Sequence, residues 1–189
     1  MQAELHQMKF IRTDIPDIAL IEPAVFGDER GYFMETYQER QFAEAGLPTV
    51  FVQDNQSGSR QGILRGLHYQ IQHPQGKLVR VIAGEIFDVA VDLRRSSPDF
   101  GKWIGAQLSA QNKTQMWVPP GFAHGFYVIS EWADVFYKAT DFYAPAYERT
   151  LAWNDPQIGI RWPLVDGSQP LLSPKDVSGK LLAEAELFD

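Results

Sequence analysis

Glycine and proline break this chain so often that no apolar stretch runs long enough for a core amphipathic helix, and that punctuation most constrains the fold. Short runs rich in β-branched and aromatic residues recur at Ala19–Phe26, Thr49–Asp54, Ile63–Gln70, Lys77–Ala83, Glu85–Leu93, Trp103–Leu108, Thr114–Val118, Gly125–Ile129 and Ala133–Thr140. Turn residues separate them, as Gly84 does between two runs and Pro119-Pro120-Gly121 after another. Many short strands at close spacing predict an antiparallel β-sandwich or barrel. Helical signals are confined to Tyr37–Ala45, stopped by Gly46 and Pro48, and a weak one at Ala183–Phe188. Trp162–Gly179, rich in Pro, Ser, Gly and Asp, reads as an extended segment wrapping the body. With 189 residues and no linker, one domain over 1–189 is expected, with an N-terminal extension of about 1–9 and a wrapping segment of about 162–189.

Charge narrows the function. A formal net charge of −7 argues against a broad basic face for nucleic acid, while leaving room for a small phosphate ligand held by local cations. The absence of cysteine excludes disulfides, thiolate metal sites and cysteine nucleophiles. No run has the length of a signal peptide or membrane span, so a soluble cytoplasmic protein is expected.

Polar residues inside apolar strands are the informative ones. In Ile63-Leu64-Arg65-Gly66-Leu67-His68-Tyr69-Gln70, alternation puts His68 on one face with Leu64, Gly66 and Gln70. That histidine is either a satisfied core residue or a group facing a pocket that Gly66 leaves open. His124, between Phe122 and Phe126, either orients a ligand or bonds a backbone carbonyl. Arg65 lies three positions from His68, so a regular strand would send them to opposite faces. Both reach one ligand only if Arg65 sits at the loop entry or Gly66 marks a bulge. No His-x-His pair is present, since Tyr69 and Gln70 follow His68, so no metal site is expected. Glycine-rich nucleotide loops are also absent, so any phosphate must be held by side chains such as Arg30, Arg65, Lys77, Arg80 or Lys175.

Taken in order, several segments carry a family resemblance. They are Gly27-Asp28-Glu29-Arg30-Gly31, Phe51-Val52-Gln53-Asp54-Asn55, Leu64-Arg65-Gly66-Leu67-His68-Tyr69-Gln70 and Gln75-Gly76-Lys77-Leu78-Val79-Arg80. Further on come Phe87-Asp88-Val89-Ala90-Val91-Asp92, Pro119-Pro120-Gly121-Phe122-Ala123-His124-Gly125-Phe126 and Tyr137-Lys138-Ala139-Thr140. Trp153-Asn154-Asp155-Pro156 and Leu172-Ser173-Pro174-Lys175-Asp176 complete the set. From Phe10 to about Leu182 the chain resembles the dTDP-4-dehydrorhamnose 3,5-epimerases. The resemblance implies an all-β, cupin-like antiparallel sandwich or jelly-roll barrel with a few short peripheral helices. It also implies an isomerase of dTDP-L-rhamnose biosynthesis that needs no cofactor.

By that resemblance His68 is the general base, Asp176 its carboxylate partner, Tyr137 the general acid and Lys77 the lysine beside the reacting sugar. Arg30, Arg65 and Lys175 resemble diphosphate and nucleotide contacts. Glu35, Gln53, Asp54, Asn55, His124 and Glu148 match other substrate-binding positions, and Tyr143 the stacking ring. The resemblance further implies a homodimer with strand exchange, in which Arg30 and Glu35 complete the neighbour's site. The substrate implied is dTDP-4-dehydro-6-deoxy-D-glucose, whose C4 ketone acidifies the hydrogens at C3 and C5. Three rival readings remain: a C3-only epimerase of a related dTDP-4-keto-deoxysugar, a non-catalytic nucleotide-sugar-binding cupin, and a metal-dependent cupin oxygenase or isomerase, which the missing His-x-His pair disfavours.

Overall fold

A computed structural model describes residues 7–189. The strands are β1 (Lys9–Arg12), β2 (Ala19–Glu22), β3 (Val25–Asp28), β4 (Gly31–Met34), β5 (Gln53–Arg60), β6 (Leu64–Gln70), β7 (Lys77–Ala83), β8 (Glu85–Asp92), β9 (Trp103–Ser109), β10 (Gln115–Val118), β11 (Phe122–Val128), β12 (Trp132–Ala139) and β13 (Glu148–Thr150). Two short helices, α1 (Glu39–Glu44) and α2 (Pro174–Val177), join them. One sheet runs β1-β2-β10-β7-β12-β5 and a second runs β13-β6-β11-β8-β9, all neighbours being antiparallel. Strands β3 and β4 form a separate hairpin. The all-β sandwich expected from the punctuation is the fold.

Apolar side chains from the facing sheets, among them Val79, Val81, Ile86, Leu108, Met116, Phe126 and Val135, fill the space between them. Each sheet is also covered on its outer side. Helix α1 lays Phe42 over Leu78 and Trp117 of the first sheet. Over the second sheet, the C-terminal segment packs Ile158, Trp162, Leu182 and Phe188 against Leu67, Val89 and Val91. Sheets buried on both faces lose the simple in–out alternation, and every residue of β11 is buried.

Several boundaries differ from the sequence expectation for physical reasons. Strand β5 occupies Gln53–Arg60 rather than Thr49–Asp54, because Phe51 packs beneath α1 and the strand itself is polar. The run Ala19–Phe26 is split between β2 and β3. No helix forms at Ala183–Phe188: Arg95 N–H donates to the Phe188 carbonyl at 2.9 Å, and Phe188 N–H to that of Leu93 at 3.2 Å. Extended pairing wins there. In the wrapping segment, expected to be extended, Ser173 caps the short helix α2. The N-terminal extension lies largely in residues 1–6, outside the described residues, but Met8 is already buried against the α1 cluster.

Inward positions along β7 run Lys77, Val79, Val81, and along antiparallel β12 they run Ala133, Val135, Tyr137. Tyr137 pairs with Val79 and Ala139 with Lys77, so the polar members of both strands fall at one end of the sandwich. That end is open.

Candidate active site

A cleft of about 720 Å³ occupies the open end, lined from both sheets and from the C-terminal segment. Strand β6 brings His68 and Arg65 to it, and β11 brings His124. The opposite wall carries Lys77 of β7, Tyr137 of β12, and Gln53 and Asn55 of β5. Tyr143, Glu148, Lys175 and Asp176 close the rim.

The Arg65–His68 spacing conflict is resolved by a bulge. His124 of β11 faces His68 and Phe126 faces Arg65, so two steps on β11 match three on β6. Gly66 makes this possible. Its φ is +127°, and a Cβ there would meet Gly125 Cα at 2.6 Å. The extra residue turns both the arginine and the histidine toward the same space.

His68 and Asp176 form a tight pair. The Nε2–H of His68 donates to Asp176 Oδ1 at 2.6 Å, which leaves Nδ1 as the basic atom. The same Oδ1 accepts from Gly66 N–H at 3.2 Å, while Oδ2 accepts from the Ser173 hydroxyl at 2.6 Å. Asp176 is 3% exposed. Burial opposes its charge, but the hydrogen bonds from His68 and Ser173, with the Gly66 N–H, bring its pKa down to about 2. For His68, burial dominates and lowers the pKa below its ordinary value, helped by Lys175 and Lys77 and opposed by Asp176. The imidazole is therefore neutral, and basic, at neutral pH.

Across the cleft, burial raises the Tyr137 pKa, reinforced by Glu148 and offset by Arg65, so the phenol keeps its proton. Burial lowers Lys77 to about 8 against the pull of Asp88 and Glu148. Its Nζ lies 5.9 Å from the Tyr137 ring centre and has no hydrogen-bond acceptor among the described residues. An ammonium in this position awaits negative charge from elsewhere. At the rim Lys175 donates to Glu148 at 2.8 Å and Tyr143 to its other oxygen at 3.0 Å. Burial opposes the Glu148 charge, but these two contacts hold its carboxyl below the ordinary range. Arg65 is braced by Ser59, whose hydroxyl accepts from Nε at 2.9 Å, leaving much of the guanidinium facing the cleft.

His124 departs from the expected backbone-carbonyl bond. Its Nε2–H donates not to a carbonyl but to Asp88 Oδ1 at 2.7 Å, forming a second histidine–carboxylate pair. Asp88 is fully buried, and its Oδ2 has no partner among the described residues. The sequence alone assigns Asp88 no role. An acidic residue sharing a face with Ile86 and Ala90 in an apolar strand was the available signal.

Three of the expected site residues are not in this chain's cleft. Asp54 sits on the other face of β5 from Gln53 and Asn55 and binds Lys138 at 2.8 Å, so strand alternation removes it from the site. Arg30 is paired with Asp28 at the β3–β4 turn, and Glu35 accepts from Gln41 of α1 at 3.0 Å. No group of three or more His, Asp or Glu side chains among the described residues is arranged to hold a metal ion.

Known proteins resemble this chain over nearly its whole length. The family model for dTDP-4-dehydrorhamnose 3,5-epimerase matches residues 12–184. The Pseudomonas aeruginosa protein of that name is 61% identical over 182 residues, covering 96% of this chain and 99% of the relative. A solved dTDP-6-deoxy-D-glucose-3,5-epimerase from Legionella pneumophila, in complex with dTDP-4-keto-L-rhamnose, is 54% identical with a TM-score of 0.92, covering 95% of each chain. A 3'-monoepimerase from Streptomyces bikiniensis in complex with dTDP-quinovose is more distant, at 33% identity and a TM-score of 0.85, covering 92% of this chain and 87% of that one. With a family model matching residues 12–184 and a relative 61% identical, this chain belongs to the dTDP-4-dehydrorhamnose 3,5-epimerase family.

Proposed function

We propose that the chain converts dTDP-4-dehydro-6-deoxy-D-glucose to dTDP-4-dehydro-L-rhamnose by inverting C3 and C5. The observation that carries this reading is the placement of His68 and Tyr137 on opposite sheets facing one cleft, with the unpaired Lys77 ammonium beside Tyr137. The substrate's C4 ketone acidifies both neighbouring carbons. His68 Nδ1 removes a proton from one face, and the electron pair moves to O4 as an enolate. Lys77 stabilises that oxyanion, a contribution of about 3 kcal/mol in comparable sites. Tyr137 then delivers a proton from the opposite wall, which inverts the carbon. Asp176 holds the imidazole tautomer and stabilises the imidazolium between the two transfers. The same set serves C3 and C5, because each gives the same type of enolate, once His68 has passed its proton to solvent and Tyr137 has taken one back between the two inversions.

Arg65 and Lys175 are the cations available to the diphosphate, and Tyr143 at the rim offers a stacking face. Arg30 and Glu35 fit this scheme as residues lent to a partner subunit in a homodimer. The β3–β4 hairpin that carries Arg30 pairs with no other strand among the described residues and exposes Tyr32 and Phe33. Strand exchange would cover those rings. The chain is read as a single domain acting in the cytoplasm.

Product stereochemistry tests the reading. Incubation with dTDP-4-dehydro-6-deoxy-D-glucose, followed by proton NMR of the sugar ring, should show inversion at both carbons. Inversion at C3 alone would favour the monoepimerase alternative. Tight dTDP binding without turnover would favour a binding module.

A further inference from the structure

Asp176 is held by more than its histidine. The Ser173 hydroxyl donates to Asp176 Oδ2 at 2.6 Å and itself accepts from Asp176 N–H at 3.3 Å, while Ser173 N–H reaches the same Oδ2 at 3.3 Å. Ser173 therefore caps α2 and clamps the one carboxylate oxygen that His68 does not use. Both residues line the cleft.

We infer that Ser173 is a positioning residue that sets the basicity of His68 through Asp176; the catalytic meaning of this rests on the function proposed above. A carboxylate that accepts a short hydroxyl hydrogen bond on one oxygen has less negative charge to offer an imidazolium on the other. Ser173 thus keeps the protonated form of His68 from being over-stabilised. A base that bound its proton too tightly would be charged before substrate arrived and slow to release the proton afterwards. The hydroxyl also fixes the plane of the carboxylate, so that Oδ1 meets Nε2 squarely.

Other charges facing the pair come from every neighbouring element. They are Lys175 on α2, Lys77 on β7, Glu148 on β13, and the His124–Asp88 pair on β11 and β8. Tyr137 on β12 faces it as a phenol. None of these touches Oδ2. Removal of the Ser173 hydroxyl therefore takes away its hydrogen bond to Oδ2 and the acceptor it offers the Asp176 N–H, and leaves the surrounding charges in place.

The test is an NMR titration of the His68 ring in the full-length, substrate-free protein, for the parent and for Ser173→Ala, Ser173→Gly and Ser173→Thr. Glycine is included because it is a tolerated helix N-cap and protects the experiment against loss of fold in the alanine variant. The His68 midpoint should rise by about half to one pH unit in the Ala and Gly variants and return to the parent value with Thr. The acid limb of kcat/KM should move by the same amount and in the same direction. An unchanged His68 midpoint in a folded Ala or Gly variant would overturn the inference. A shifted midpoint in a protein that does not epimerise would uphold Ser173's control of the pair and refute the proposed function instead.

Discussion

Lys77→Met is expected to make the empty protein more stable while crippling turnover. The Lys77 amine has its pKa lowered from 10.5 to about 8 because folding strips water from an ammonium that no acceptor receives. That lowering corresponds to roughly 3 kcal/mol by which folding disfavours the charged form. Water in the open cleft screens part of this, so about 1–2 kcal/mol is the expected gain when methionine fills the same volume without charge. For a chain of this length that raises the Tm by about 3–6 °C at pH 7. The folded pKa is the depressed one, so the penalty is full below pH 8 and fades between pH 8 and 10.5, as the folded protein sheds the proton first. Calorimetry of parent and variant at pH 7, 8, 9 and 10 should show a gap that closes with rising pH. Turnover should fall by roughly 10²–10³, the usual cost of losing an oxyanion contact. A methionine variant that melts below the parent at pH 7, or a gap constant to pH 10, would refute this account of Lys77.

Tyr137→Phe should reduce net inversion more than it reduces proton loss from substrate, because the acid is deleted while base and ketone remain; equal turnover by the variant would assign the acid elsewhere. The acid limb of kcat/KM should have its midpoint below ~6.5, since burial lowers the His68 pKa and activity is lost only as pH falls through that lowered value. A midpoint at or above 6.5 in the parent contradicts the environment described for His68. Mixing Arg30→Ala with His68→Ala subunits should recover activity, as a hybrid dimer holds one site with both residues intact. No recovery despite proven subunit exchange would return Arg30 to its own chain.

Sequence made the sandwich legible where turn residues bracket a strand. Strand β7, flanked by Gly76 and Gly84, was readable end to end. Strand β5 was not, because its inward face lines a polar cleft and so lacks the apolar repeat that marks a strand. Most of the site followed from the resemblance, while composition and alternation alone left His68 and His124 each with two roles. In the structure each meets a carboxylate, Asp176 from 108 residues along the chain and Asp88 from 36. Such pairings over long sequence separations carry no local signal. The bulge at Gly66 is the exception: the three-residue spacing of Arg65 and His68 demanded an irregularity, and one is there. Asp54 shows the opposite case, where a motif neighbour of two cleft residues is turned away by the strand's own period.

One base for two carbons is the central claim, and solvent exchange measures it most directly. In deuterated water the parent should place deuterium at both C3 and C5 of the dTDP-4-keto sugar. His68→Asn should place it at neither, while dTDP binding stays near the parent value. Exchange retained at either carbon by the folded variant would show that a second base works in this cleft and would contradict the mechanism.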